Sequence, residues 1–146
     1  VMKEYLKNPD ETRASFTPDG WLRSGDLGHR DEEGYVFVTG RLKELIIKGG
    51  ENIAPREIDE ALLEHEAVLE AAAFAVPCEN YGEPVEACIR LQEQVQASAS
   101  DLLAHCQTRL GKFKSPDTIH ILEDLPKGPS GKVQRLKLFG LVYPAE

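Results

Sequence analysis

Two strand-like stretches on either side of a proline- and glycine-rich turn constrain this chain more than any other feature. Ala71 to Val76 is a compact apolar run, while Val85, Ala87, Ile89 and Leu91 alternate with Glu86, Cys88 and Arg90, the period of a strand with one buried face. Pro77, Asn80, Gly82 and Pro84 supply the turn between them. Helical patterns bracket this pair. Pro55 stands at a first helical position, and Ile58, Ala61, Leu62 and His65 recur on one face, with Glu57, Asp59, Glu60 and Glu64 largely elsewhere. Ser98 or Ser100 caps a second helix carrying Leu102, Leu103, Cys106 and Leu110; Gly111 stops it, and Pro116 lies beyond. Ile119 and Ile121 mark a further strand. Interleaved helices and strands predict an α+β fold, a small domain with a sheet of about three strands packed by helices.

The flanking regions are less regular. Asn8, Pro9, Asp10, Thr17, Pro18, Asp19 and Gly20 make residues 8–20 dense in turn formers, so an irregular segment is expected there, with order resuming at Trp21. A turn at Asp31–Gly34 leads into the strand Tyr35–Thr39, ended by Gly40; together these suggest a small β unit. Leu45-Ile46-Ile47 reads as a short strand running into Gly49-Gly50 and then a loop. Near the end, Pro126-Lys127-Gly128-Pro129-Ser130-Gly131-Lys132 is a stiff, glycine-punctuated loop before a short helical stretch with Leu136 and Phe139.

Composition limits the function classes. A length of 146 residues is about one domain's worth, and no apolar run approaches a bilayer-spanning length. A net charge of −8 argues against nucleic-acid binding, which needs a basic surface. Cys78, Cys88 and Cys106 have no CxxC spacing and read as reduced thiols of a cytoplasmic protein, buried as small hydrophobes. His29, His65, His105 and His120 have no metal-ligand spacing. Val1-Met2-Lys3 has no signal-peptide layout and reads as the start of a fragment of a longer protein.

The loop ending in Lys132 resembles a phosphate-binding element, but a Walker motif is rejected because Pro126 occupies its first glycine position and Val133 follows the lysine. Alone, Lys132 is an ordinary turn lysine. Its company is more specific. Ser24-Gly25-Asp26, Gly40 to Glu44, Gly49-Gly50-Glu51-Asn52-Ile53, Pro55 to Ile58 and Pro126 to Lys132 stand in one order. This set resembles the carboxyl-terminal third of the adenylate-forming superfamily of acyl-CoA synthetases, non-ribosomal peptide adenylation domains and luciferases. Val1-Met2-Lys3 with Tyr5 is similar to the end of a motif just upstream, so the resemblance covers nearly the whole chain.

The resemblance implies that residues 1–40 are the tail of a large N-terminal domain, otherwise absent, and that residues 41–146 form a mobile C-terminal domain. It implies ATP and CoA as co-substrates, with Mg²⁺ held mainly by the triphosphate and the missing domain, and a small carboxylic acid as the activated group. Carried over by position, Lys132 is the catalytic lysine of adenylation, Asp26 binds the ribose hydroxyls of ATP, and Arg41 contacts the ribose or phosphates. Lys43 occupies the hinge position, where relatives often carry Asp. Gly49 and Gly50 approach the pantetheine arm in the thioester step, and Tyr81 resembles an aromatic flanking the same tunnel. Asn52 departs from relatives that carry Arg there. Lys112 and Lys114 serve either coenzyme phosphates or the helix end.

The expected activity is acyl-CoA synthesis from acid, ATP and CoA, with the fragment alone inactive. The alternatives are an adenylation domain loading a carrier protein's phosphopantetheine, and a non-catalytic binding module. Acid identity belongs to the missing domain.

Overall fold

The computed structural model describes residues 1–78 and 82–144, in two units, Val1–Lys43 and Glu44–Glu146. In the first, helix α1 (Pro9–Ala14) forms where turn formers predict irregular backbone. The reason lies in the ambiguity of Asn-Pro-Asp-Glu, which is a helix start as well as a turn composition. The Asn8 side chain accepts a hydrogen bond from the Glu11 N–H at 3.2 Å, and Pro9 sits where its missing N–H costs nothing. Strands β1 (Asp26–Arg30) and β2 (Val36–Arg41) then form an antiparallel hairpin. Its turn is fixed by the Asp31 carboxylate, which accepts from the Tyr35 N–H at 2.8 Å. Strand β2 continues past Gly40 to Arg41, placing Arg41 opposite Asp26.

A 3-10 turn, Leu42–Glu44, leads into the second unit. Strand β3 (Ile46–Lys48) turns back as β4 (Glu51–Ile53), where the sequence predicts a loop. Gly49 and Gly50 have φ of +56° and +83°, and two successive residues of positive φ make the tight turn whose twist matches a hairpin. Helix α2 (Pro55–Leu63), strand β5 (Val68–Ala75), strand β6 (Val85–Leu91), helix α3 (Ala99–Lys114) and strand β7 (Thr118–Ile121) follow, then a 3-10 turn at Arg135–Lys137 and helix α4 (Leu138–Val142).

The sheet has the order β5-β6-β7, antiparallel then parallel, in agreement with the expected three-stranded α+β domain. Alternation along β5 and β6 sends Ala73, Val85, Ala87 and Ile89 to one face, where Ile58 and Leu62 of α2 and Leu102 and Cys106 of α3 bury them. Ala72, Phe74 and Cys88 face the other way, against Leu125 and Leu138 of the C-terminal segment. This second layer turns a half-buried sheet into one covered on both faces, which places the lysine loop against it.

Several details depart from the sequence reading. Gly111, at φ +76°, leaves the helical conformation and ends the regular part of α3 as expected, but a further turn follows to Lys114, and the Ser115 hydroxyl donates to the Gly111 carbonyl at 2.8 Å. At the other end Ser98 is the cap, in a reciprocal box with Asp101, and its hydrogen bonds hold the Asp101 carboxyl below its usual value. Cys88 and Cys106 are buried but Cys78 is exposed, because it lies past the end of β5. Burial first, and the Glu86 charge second, push the Cys88 thiol up to about 11, so it stays protonated. Asp59, read as lying off the packed face of α2, is buried.

Candidate functional site

In the first unit the β1–β2 register brings Asp26 and Arg41 together. Arg41 Nε lies 3.1 Å from Asp26 Oδ1, and both side chains remain partly solvated. A cleft of about 450 Å³ within this unit is lined by Tyr5, Arg23, Ser24, Gly25, Arg41 and Lys43. Glu11 also lines it, so three cations, a glycine and a carboxylate border the concave surface, with Asp26 beside it through its pair with Arg41. Such a combination can receive hydroxyl donors on the carboxylate and anionic oxygens on the guanidinium. Lys43 sits in the 3-10 turn, and the division between the two units falls directly after it.

In the second unit the Gly49-Gly50 turn is bare of side chains, and the Phe113 ring lies 3.6 Å from where a Gly49 Cβ would stand. The Lys48 ammonium is 5.8 Å from the centre of the same ring. Lys114 pairs with Glu57 at 2.8 Å, so one of the two candidate phosphate-binding lysines already has a carboxylate partner joining α3 to α2. Asn52 is exposed on β4. Tyr81 lies outside the described residues.

Lys132 lies on a loop closed by its own backbone. The Gly128 N–H donates to the Lys132 carbonyl at 2.8 Å, Gly131 N–H to Gly128 at 2.9 Å, and Gln134 N–H to Pro126 at 2.7 Å. The lysine side chain is exposed, with no hydrogen bond or ion pair to any described residue. A loop closed by three backbone hydrogen bonds thus presents an uncommitted ammonium.

Both ends of that loop are tied down by charges that sequence reading did not single out. At its start, Lys127 pairs with Glu70 at 2.8 Å and with Asp124 at 3.2 Å. After it, Arg135 donates to Asp59 Oδ2 at 2.7 Å, to Glu44 Oε2 at 3.1 Å and to the Ala73 carbonyl. Asp59 also accepts the Ala73 N–H at 2.6 Å. Arg135 and Asp59 therefore satisfy both outward peptide groups of Ala73 on the free edge of β5. Burial pushes the Asp59 carboxyl up, opposed by the hydrogen bond and charge of Arg135. No spacing rule marks an Arg and an Asp so far apart in the chain as partners.

A three-stranded mixed sheet covered by helices, with an exposed lysine on a closed loop, defines a class. Residues 57–132 match the family model described as AMP-binding enzyme C-terminal domain, and the chain belongs to this family. Among curated relatives it is 58% identical over 138 residues to a sulfoacetate–CoA ligase of Cupriavidus necator, covering 94% of this chain and 27% of that protein. The chain thus spans about a quarter of the length of the curated relatives it matches. Solved structures that share the fold include the following two. One is ATP-bound MatB from Rhodopseudomonas palustris, with a TM-score of 0.90 at 35% identity over 99% of this chain and 29% of that one. The other is o-succinylbenzoate CoA synthetase from Bacillus subtilis in complex with its acyl-adenylate, with 0.85 at 40% over 94% and 28%.

Proposed function

We propose that this chain is the C-terminal part of an AMP-forming acyl-CoA synthetase, which converts a carboxylic acid, ATP and CoA to acyl-CoA, AMP and pyrophosphate. The observation that carries the reading is the exposed Lys132 ammonium on its closed loop, in a domain that belongs to the AMP-binding enzyme C-terminal family. The expected division after residue 40 then shifts to the unit boundary, with residues 1–43, which keep Arg41 beside Asp26, as the tail of the large N-terminal domain and 44–146 as the mobile domain. The unit boundary directly after Lys43 supports a hinge at that residue.

In the first half-reaction a carboxylate oxygen attacks the α-phosphorus of ATP and pyrophosphate leaves. Negative charge builds on the α-phosphate oxygens, and Lys132 supplies a compact positive charge there. Asp26 accepts hydrogen bonds from the ribose hydroxyls, and Arg41, paired with it across the hairpin, orients that carboxylate beside the phosphates. Mg²⁺ accompanies the triphosphate. Among the described residues no group of three His, Cys, Asp or Glu stands together to hold it, so no step is assigned to it in this domain. In the second half-reaction Lys132 withdraws and the Gly49-Gly50 turn lines the path of the thiol, where bare backbone leaves room for a pantetheine arm. The thiol sulfur attacks the acyl carbonyl, its proton passes to solvent, and AMP leaves.

Acid-dependent AMP release by the full-length parent protein tests this reading. A panel of carboxylic acids should include sulfoacetate, the acid in the name of the 58% identical relative. AMP and an acyl-CoA product are expected with at least one acid. Thioester on a carrier protein but not on CoA would favour the carrier-loading alternative, and no acid-dependent AMP with any acid would overturn the proposal.

Hinge motion gives a separate expectation. Lys43→Pro fixes φ and removes an N–H where a few residues must absorb a large rotation. Thioester formation should fall by about tenfold or more while pyrophosphate exchange falls less. Half-reaction assays on the parent check this, and equal loss in both would count against a hinge at Lys43.

A further inference from the structure

The Gly49-Gly50 hairpin cannot set its own position. Strands β3 and β4 have three residues each, too few for a two-stranded hairpin to hold itself, and the turn residues have no side chains to anchor them. Ile46 and Ile53 anchor its base in the core, and the outer edge of β3, nearer the turn, is held by the chain segment that precedes β6. There the Glu83 N–H donates to the Ile47 carbonyl at 2.8 Å, and the Ile47 N–H donates to the Glu83 carboxylate at 3.0 Å. Gly82 pairs with Lys48 as an antiparallel bridge. Glu83 thus closes both edge-facing peptide groups of Ile47, one with backbone and one with side chain.

Gly82 permits this approach. Its φ is +81°, and a Cβ at this position would stand 2.7 Å from the Ile47 carbonyl oxygen and 3.1 Å from the Gly49 nitrogen, both backbone atoms with little freedom to yield. A second tie runs from Lys48, whose ammonium meets Asp117 at 3.0 Å, while Asp117 also accepts the Val85 N–H at 3.2 Å. Strand β3 is therefore the middle of a small three-strand arrangement, with β4 on one side and residues 82–83 on the other.

We propose that Gly82 and Glu83 are positioning residues for the thioester half-reaction, holding the Gly49-Gly50 turn at the distance and angle that the thiol acceptor requires. This rests on the reading that the hairpin serves that step. Neither residue touches a reacting atom. Their effect is transmitted through one strand, and a shift of about 1 Å in a positioning element can cost on the order of 100-fold in rate.

The test uses the full-length parent, with pyrophosphate exchange for adenylation and transfer from supplied acyl-adenylate to CoA for the second step. Glu83→Ala, which leaves the Ile47 N–H without its acceptor, should slow transfer by about 10- to 100-fold while adenylation stays within about twofold. Glu83→Gln keeps an amide oxygen for the same N–H and should recover most of the transfer rate. Gly82→Ala disrupts the contact from the other side, so it should reproduce the partition even if Glu83→Ala does not fold. Equal loss of both half-reactions, or no loss of transfer in either Ala variant, would overturn the proposal. Gly50→Leu separates the role of the hairpin from the role of its anchors. If it blocks transfer and the Ala variants do not, only the positioning role fails; if Gly50→Leu leaves transfer intact, the hairpin reading fails with it.

Discussion

Replacing Lys132 with Ala in the parent enzyme should lower acyl-adenylate formation by at least about 10²- to 10³-fold, the usual loss when a preorganised charge is removed from a developing anion. Thioester formation from supplied acyl-adenylate should stay within a few-fold, since the role proposed for the lysine is confined to adenylation. Folding should not change, because the side chain is exposed and has no partner among the described residues. A change of no more than about 0.5 kcal/mol is expected from such a surface site. Pyrophosphate exchange, single-turnover thioester assays and a melting curve check the three parts. Equal loss of both half-reactions would contradict a role confined to adenylation, and a large drop in stability would show that the loop depends on its lysine.

Arg135→Met should have the opposite profile, a large loss of stability that reaches catalysis only through the fold. Its side chain is 16% exposed and that of Asp59 12%, so removing the guanidinium leaves a nearly buried carboxylate facing a carbonyl and another acid, Glu44. Breaking one side of such a pair costs about 3–5 kcal/mol. Adding Asp59→Asn should return part of that loss, since the amide can still accept the Ala73 N–H without a stranded charge. Urea titration of the second unit within the parent, with Arg135→Met, Asp59→Asn and the double variant, measures the coupling. A loss below about 1 kcal/mol for Arg135→Met would mean that the network is not what ties the lysine loop to β5.

The two expectations differ in how visible their residues are in a sequence. Lys132, Asp26, Arg41 and the glycine pair stand in local patterns, because their environments are built by near neighbours in the chain. Arg135 and Asp59 meet across 76 residues, and Glu83 reaches Ile47 across 36. Neither partner has an unusual neighbour that announces the contact. The same difference explains the errors. Helix α1 was hidden because capping residues and turn residues are the same residue types. Strand β4 was hidden because Glu51-Asn52-Ile53 is too short to show a period and owes its pairing to the glycine turn before it.

Periodicity and punctuation determined the α+β class, the three-stranded sheet and its two long helices, because burial of one face imposes a local repeat on strand and helix alike. Motif order pointed to the family. Tertiary structure decided which polar groups are buried, which edge of β3 is held by Glu83, and how the lysine loop is fixed between Lys127 and Arg135. Those outcomes depend on hydrogen bonds and ion pairs between distant segments, and the pairing of distant polar side chains leaves no period in the sequence.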